Sequence, residues 1–235
     1  MKLLLFDIDG TLVDAFGAGR EAVEDAFRDV TGHAVDSGGF SFSGKTDPQI
    51  VRDLLIDHGF PRDGRADLAS LTERVLDRYA DRLAETITKT PVDALPGTPA
   101  LLDALAACGD AVLPGLLTGN LHRTAHLKLG AAGLDDFFDA EGAGAFGSDD
   151  ADRDRLVPVA ARRAEEQTGR AFSGGDIVVI GDTPRDVACG QAHSARTVGV
   201  CTGRYDRADL DAAGADLIFD DLTDTERLVE DLAQP

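Results

Sequence analysis

The chain lacks any stretch near the roughly 20 consecutive apolar residues that a membrane-spanning helix requires, so no membrane partner is expected. Cysteine is scarce. Cys108, Cys189 and Cys201 are odd in number and widely spaced, with no CxxC pair and no metal-ligand rhythm, which favours small apolar residues over redox or zinc roles. Positive charge is short as well: Lys2, Lys45, Lys89 and Lys128 are the only lysines, and the formal net charge is −20. Such a chain repels nucleic-acid phosphates over most of its surface, so no nucleic-acid partner is expected. The acidic balance suggests a high-salt cytoplasm, where screening shortens to about 3 Å at 1 M. The opening MKLLLFDIDG has a basic residue and an apolar run far shorter than a signal-peptide core, ending at two aspartates. It reads as a buried strand of a cytoplasmic protein.

What is present is ordinary for a globular chain: 43% of the 235 residues are apolar and 28% charged. Short apolar runs at Lys2 to Phe6, Ala111 to Leu117, Asp176 to Ile180, Arg196 to Val200 and Asp216 to Phe219 predict strands. Helical patterns such as Pro99 to Cys108 and Leu156 to Glu166 separate the later ones. That alternation predicts a Rossmann-like α/β core with a parallel sheet. From Asp14 to about Pro91 the rhythm breaks into amphipathic stretches at Gly19 to Val30, Asp47 to His58 and Ala66 to Ile87. In the last, Leu68, Leu71, Val75, Tyr79, Leu83 and Ile87 recur at helical steps. The expected organisation is a core of residues 1–13 and 92–235 with an inserted α-helical cap domain of residues 14–91.

Ligands of an open parallel sheet gather at the carboxyl ends of its strands. The first predicted strand ends in Asp7-Ile8-Asp9-Gly10-Thr11, the second in Thr118-Gly119-Asn120, and the third in Gly181-Asp182-Thr183-Pro184-Arg185-Asp186. Asp7 and Asp9, two apart on extended backbone, aim to one side, and close carboxylates repel unless a cation or proton intervenes. Mg²⁺ suits oxygen ligands of this kind, and Asp182 supplies another carboxylate. With a phosphate held there, Asp7 attacks phosphorus and Asp9 moves the protons. Gly10 and Gly119 are expected to let backbone amides approach the transferring oxygens, and the Thr118 hydroxyl to donate to them.

These three motifs resemble those of the haloacid dehalogenase-like hydrolases, in particular the phosphoglycolate-phosphatase-like branch with a helical cap after the first motif. The resemblance spans the chain. It implies a phosphatase acting on a small phosphorylated metabolite, with Asp7 as nucleophile and metal ligand, and Asp9 as acid/base and a metal ligand through its backbone carbonyl. It further implies Thr118 as the phosphate-binding hydroxyl, Asp182 as a metal ligand, and Asp186 as a further ligand or a group holding metal waters. Thr11, Gly119 and Asn120 are the expected substrate contacts. Lys45, in Ser43-Gly44-Lys45-Thr46-Asp47, is expected to reach substrate from the cap, although a helix N-cap with a solvated lysine fits that turn equally well.

One departure stands out. The family carries a lysine before its last motif, and here the stretch Ser148 to Arg155 has none. Arg153 is the expected replacement, since guanidinium pairs well with phosphate and carboxylate oxygens. Lys128 is the rival, placed on the order of 12 Å along the helix that follows Thr118. All five histidines read as structural sooner than catalytic, with His122, near the middle motif, the one placed where it could line the pocket. A phosphomutase resembling β-phosphoglucomutase is the alternative enzyme, disfavoured because Ala15 and Gly19 stand where that group has a hydroxyl and a histidine. A dehalogenase is disfavoured by Asp9, and a non-catalytic metal- or phosphate-binding module is the alternative outside enzymes.

Overall fold

The computed structural model describes residues 1–61 and 67–233. Its central sheet has six parallel strands in the order β5-β4-β1-β6-β7-β8. They are β1 (Lys2–Phe6), β4 (Val112–Leu117), β5 (Gly144–Ala145), β6 (Ile177–Gly181), β7 (Arg196–Val200) and β8 (Leu217–Phe219). The five apolar runs expected to be strands are all present, within a residue at their ends. β1 lies in the middle, paired with β4 through Leu5↔Gly115 and with β6 through Leu5↔Val179.

Period-two alternation sorts each strand onto two faces. Leu4 and Phe6 of β1, with Val178 and Ile180 of β6, pack on one side. That side is covered by α4 (Thr98–Ala107), α5 (His122–Ala131) and α9 (Thr225–Ala233) through Leu101, Leu105, Leu129 and Leu228. Leu3, Leu5, Ile177 and Val179 face the opposite way, against Leu156, Val157 and Ala160 of α6 (Leu156–Thr168) and Cys189 of α7 (Pro184–Ala192). Burying each such leucine, isoleucine or valine contributes about 1.5–3 kcal/mol, which is why these short strands read as continuous apolar runs. A short α8 (Arg207–Ala212) links β7 to β8.

Among the described residues, three helices stand between Asp14 and Asp93: α1 (Ala18–Thr31), α2 (Asp47–Asp57) and α3 (Leu68–Thr86). Leu71, Val75, Tyr79 and Leu83 are the buried stripe of α3, meeting Val23 and Phe27 of α1 and Val51 and Leu54 of α2. The expected start of α3 at Ala66 lies outside the described residues. The helical insert joins the sheet through a two-stranded antiparallel ribbon, β2 (Val13–Asp14) and β3 (Asp93–Ala94). Its apolar interior is continuous with that of the first sheet face, so the insert is docked on the core. Among the described residues no helix is long and apolar enough to cross a membrane.

Candidate active site

The chain leaves β1 at Phe6, and the Asp7 amide still donates to the Ile180 carbonyl (2.9 Å), holding Asp7 between the ends of β1 and β6. A tight turn follows. Leu12 and Val13 amides both return to the Ile8 carbonyl, and Gly10, at φ +84°, donates its amide to Val13. The Gly10 amide itself is used inside the turn. Glycine is required there because a Cβ would stand 2.6 Å from a carboxylate oxygen of Asp182, in a left-handed conformation that side chains resist.

Asp7, Asp182 and Asp186 bring carboxylate oxygens within 4.8 Å of one another, and all three residues are buried. Their protein counter-charge is Arg153, also buried, 3.2 Å from Asp7 and bonded to Asp186. Burial raises Asp7 to about 6, Arg153 pulls it down, and Asp186 and Asp9 push it up. Burial, then Asp186 and Asp7, hold Asp182 well above the usual carboxylate range. Burial opposes the Arg153 cation, but Asp186 and Asp7 outweigh it and keep the guanidinium charged. Three clustered acids against one guanidinium leave a buried excess of negative charge, costly unless a cation joins it. An all-oxygen donor set with two charges uncompensated fits a hard divalent ion such as Mg²⁺.

Asp186 is the most committed of the three. One oxygen accepts from the Thr183 amide (3.0 Å) and hydroxyl (2.7 Å), closing the cap of α7, and the other accepts from Arg153. It therefore suits a supporting role better than direct ligation. Thr11, expected to touch substrate, is fully buried with its hydroxyl 3.4 Å from Asp182. It is corrected to a group behind the acidic cluster, bracing Asp182.

The Asp9 carboxylate is not part of that cluster. It accepts from Lys128 Nζ at 2.8 and 2.6 Å and from Asn120 Nδ2 at 2.8 Å. A side-chain metal role for Asp9 is thus corrected; only its backbone carbonyl is left for the role the resemblance implies. Asn120 also donates to the Thr118 hydroxyl (2.8 Å) and accepts from Lys128 (2.6 Å), so it braces its neighbours as much as it faces the cleft. Thr118 is fully buried at the end of β4, its amide bonded to Ala145 of β5. Because its oxygen accepts from Asn120, its own proton is free to point elsewhere.

Lys128, the rival of Arg153, reaches the site despite its place along the helix. Helical side chains lean toward the N-terminus, and the four-carbon stem returns the ammonium to the strand end, where it is only 4% exposed. The site therefore holds both cations, Arg153 on Asp7 and Lys128 on Asp9.

Asp7, Asp9, Thr118, Asn120, Lys128, Arg153 and Asp182 line a cleft of about 310 Å³ between sheet and insert, roofed by Phe16, Arg20, Val23, Phe42, Lys45 and Tyr79. Lys45 is neither free nor fully solvated: it pairs with Asp53 at 3.0 Å and lies 4.2 Å from the centre of the Phe40 ring. Thr46 caps α2, accepting from the Gln49 amide. Next to it, buried Asp47 crosses to the core, accepting from the Leu121 amide (2.9 Å) and Thr124 hydroxyl (3.1 Å). Its backbone amide bonds Gly119 O at 2.7 Å. Gly119 is needed for this approach, since a Cβ would stand 2.2 Å from the Lys45 carbonyl. Nothing in the local sequence marks Asp47 as a bridge, because its partners lie more than 70 residues away. His122 is corrected too: it does not line this cleft, but bonds the Ala140 carbonyl and packs on His126 and Phe146.

Comparison with known proteins agrees with this architecture. Over their full lengths, the chain and a hydrolase from Pseudomonas syringae superpose with a TM-score of 0.74 at 22% identity. A predicted phosphoglycolate phosphatase from Haemophilus somnus aligns at TM-score 0.70 and 18% identity, over 97% of this chain and 98% of that one. CbbY from Rhodobacter sphaeroides, in complex with phosphate, aligns at 0.73 and 16%, over 95% of each. Identities this low show a shared fold. Among curated proteins none matches. The model of the haloacid dehalogenase-like hydrolases matches residues 1–194, and the chain belongs to that family.

Proposed function

We propose that the chain is a Mg²⁺-dependent phosphatase that hydrolyses a small phosphate monoester through an aspartyl-phosphate on Asp7. The observation that carries this reading is the buried Asp7, Asp182 and Asp186 cluster, paired to Arg153 and opening into one cleft with Asp9 and Thr118. Residues 1–13 and 92–235 form the catalytic core and 14–91 the cap. Asp7, Asp182 and the Asp9 carbonyl would hold the ion, with Asp186 against its waters. Mg²⁺ bound there supplies the positive charge that offsets repulsion between nucleophile and phosphate.

An Asp7 oxygen attacks phosphorus as the bond from phosphorus to the ester oxygen breaks, and the departing alkoxide takes a proton from Asp9. Asp9 next removes a proton from water. The resulting hydroxide attacks the same phosphorus, and the bond from phosphorus to Asp7 breaks, restoring the carboxylate. Arg153 keeps Asp7 ionised and faces the transferring oxygens, toward which the Thr118 hydroxyl donates. Lys45 and Asn120 contact the substrate at the cleft wall. A cleft of about 310 Å³ suits a small metabolite, with phosphoglycolate, sugar phosphates and nucleotides as the candidate classes. The proposed setting is the cytoplasm, in keeping with three cysteines that stay free thiols.

The test is a phosphate-release screen over a metabolite panel with Mg²⁺, using wild type and Asp7→Asn. Steady release by wild type without a bisphosphate activator, and none by the variant, is expected. Normal turnover by Asp7→Asn would remove the mechanism. A strict need for a bisphosphate activator would turn the reading to a mutase.

A further inference from the structure

Each acid of the first motif has its own buried cation, and the two cations come from different elements. Arg153, just before α6, serves Asp7 and Asp186. Lys128, on α5, bonds both oxygens of Asp9 at 2.8 and 2.6 Å and also the Asn120 carbonyl oxygen at 2.6 Å. Asn120 closes the arrangement by donating to Asp9 at 2.8 Å. Lys128 is 4% exposed, so water contributes little to holding its charge.

The clamp also has a direction. A Cβ on Gly19, in α1, would stand 3.7 Å from Lys128 Nζ and 3.6 Å from the Tyr79 hydroxyl of α3. The lysine therefore reaches the side of the cleft roofed by the insert. Asp9 is drawn toward that side and away from the acidic cluster beside which phosphate is proposed to bind. That is the side left for the alcohol portion of an ester whose phosphate sits beside the acidic cluster.

We propose that Lys128 is a positioning residue that, together with Asn120, aims the Asp9 carboxyl group at the leaving group. The inference rests on the phosphatase reading. The proton passed to the departing oxygen comes from Asp9, and Lys128 acts by holding that carboxyl group in place.

An alkoxide needs a proton to depart, whereas 4-nitrophenolate does not. The experiment compares kcat/KM, which reports steps up to leaving-group departure, for an alkyl phosphate and for 4-nitrophenyl phosphate. In Lys128→Met the alkyl ester should lose about 10²–10⁴-fold, the range of general acid catalysis. The nitrophenyl ester should lose far less, and Lys128→Arg should recover part of the alkyl rate. Mg²⁺ affinity measured by calorimetry should stay within a few-fold of wild type, because the acidic cluster is untouched. Equal losses on both esters, or a collapse of Mg²⁺ affinity, would overturn the proposal. If Lys128→Met does not fold, Asn120→Ala releases the other arm: a lowered alkyl-to-aryl ratio supports the clamp and an unchanged ratio overturns it. Activity of Asp7→Asn on both esters would instead fail the phosphatase reading itself.

Discussion

At the scale of single residues, the cost of buried charge decides most of what the site looks like. Asp47 is a clear case outside the acidic cluster. Burial raises it to about 6 against an ordinary 3.8, with Lys128 and the Leu121 amide pulling it down and Asp9 pushing it up. The folded state thus keeps this proton over an interval in which the unfolded chain has released it. Stability from this group falls as pH rises from about 4 to about 6 and is level above. Asp47→Asn keeps an oxygen for Leu121 and Thr124 but buries no charge, so it should flatten that slope. At pH 7 it should stabilise the protein by about 1–3 kcal/mol, read from urea unfolding at pH 4.5 and 7. A variant less stable than wild type at pH 7 would contradict this. The sequence disclosed the residues that end strands, Asp7, Asp9, Thr118 and Asp182, because acids closing an apolar run have few structural explanations. It hid Asp47 and offered Lys128 only as the rival of Arg153. In both, the partner is set by packing between distant segments, and side-chain lean outweighed rise along the helix.

At the scale of elements, the strands were legible because both faces of this sheet are covered, so each is a short unbroken apolar run. β5, of two small residues, and the β2–β3 ribbon carry no such pattern and were not anticipated. The insert was legible as helices, yet its seat was not. That seat is the N-terminus of α2, where Asp47 and Thr46 bond the loops of Gly119 to Thr124 and Ala151. Close apposition depends on Gly119, so Gly119→Ala must push the Lys45 backbone outward by about 1 Å. Misplacement of that size costs on the order of 10²-fold in turnover. The expected result is a kcat loss of that order with retained Mg²⁺ binding. An unaltered kcat would show that the seat of α2 does not govern the chemistry.

At the scale of the whole molecule, 43 acidic residues face 23 basic ones, so at least 20 acids have no cation of their own. Pairs such as Arg78 and Arg82 with Asp29 organise the surface of the insert, and salt weakens them. Unpaired repulsion is the larger effect, and salt weakens it too. Raising NaCl from about 0.05 M to about 1 M should therefore stabilise the fold by about 1 kcal/mol, roughly 2–4 °C in Tm. A falling Tm would mean that the attractive pairs dominate. The β2–β3 ribbon has a consequence at this scale. The chain departs for the helices and comes back through two neighbouring strands, Val13 beside Ala94 and Asp14 beside Asp93. A substitute roof of any size need only begin and finish about 5 Å apart to be grafted there. The proposed catalytic core and its cap are then separable inheritances, free to be exchanged without redrawing the sheet.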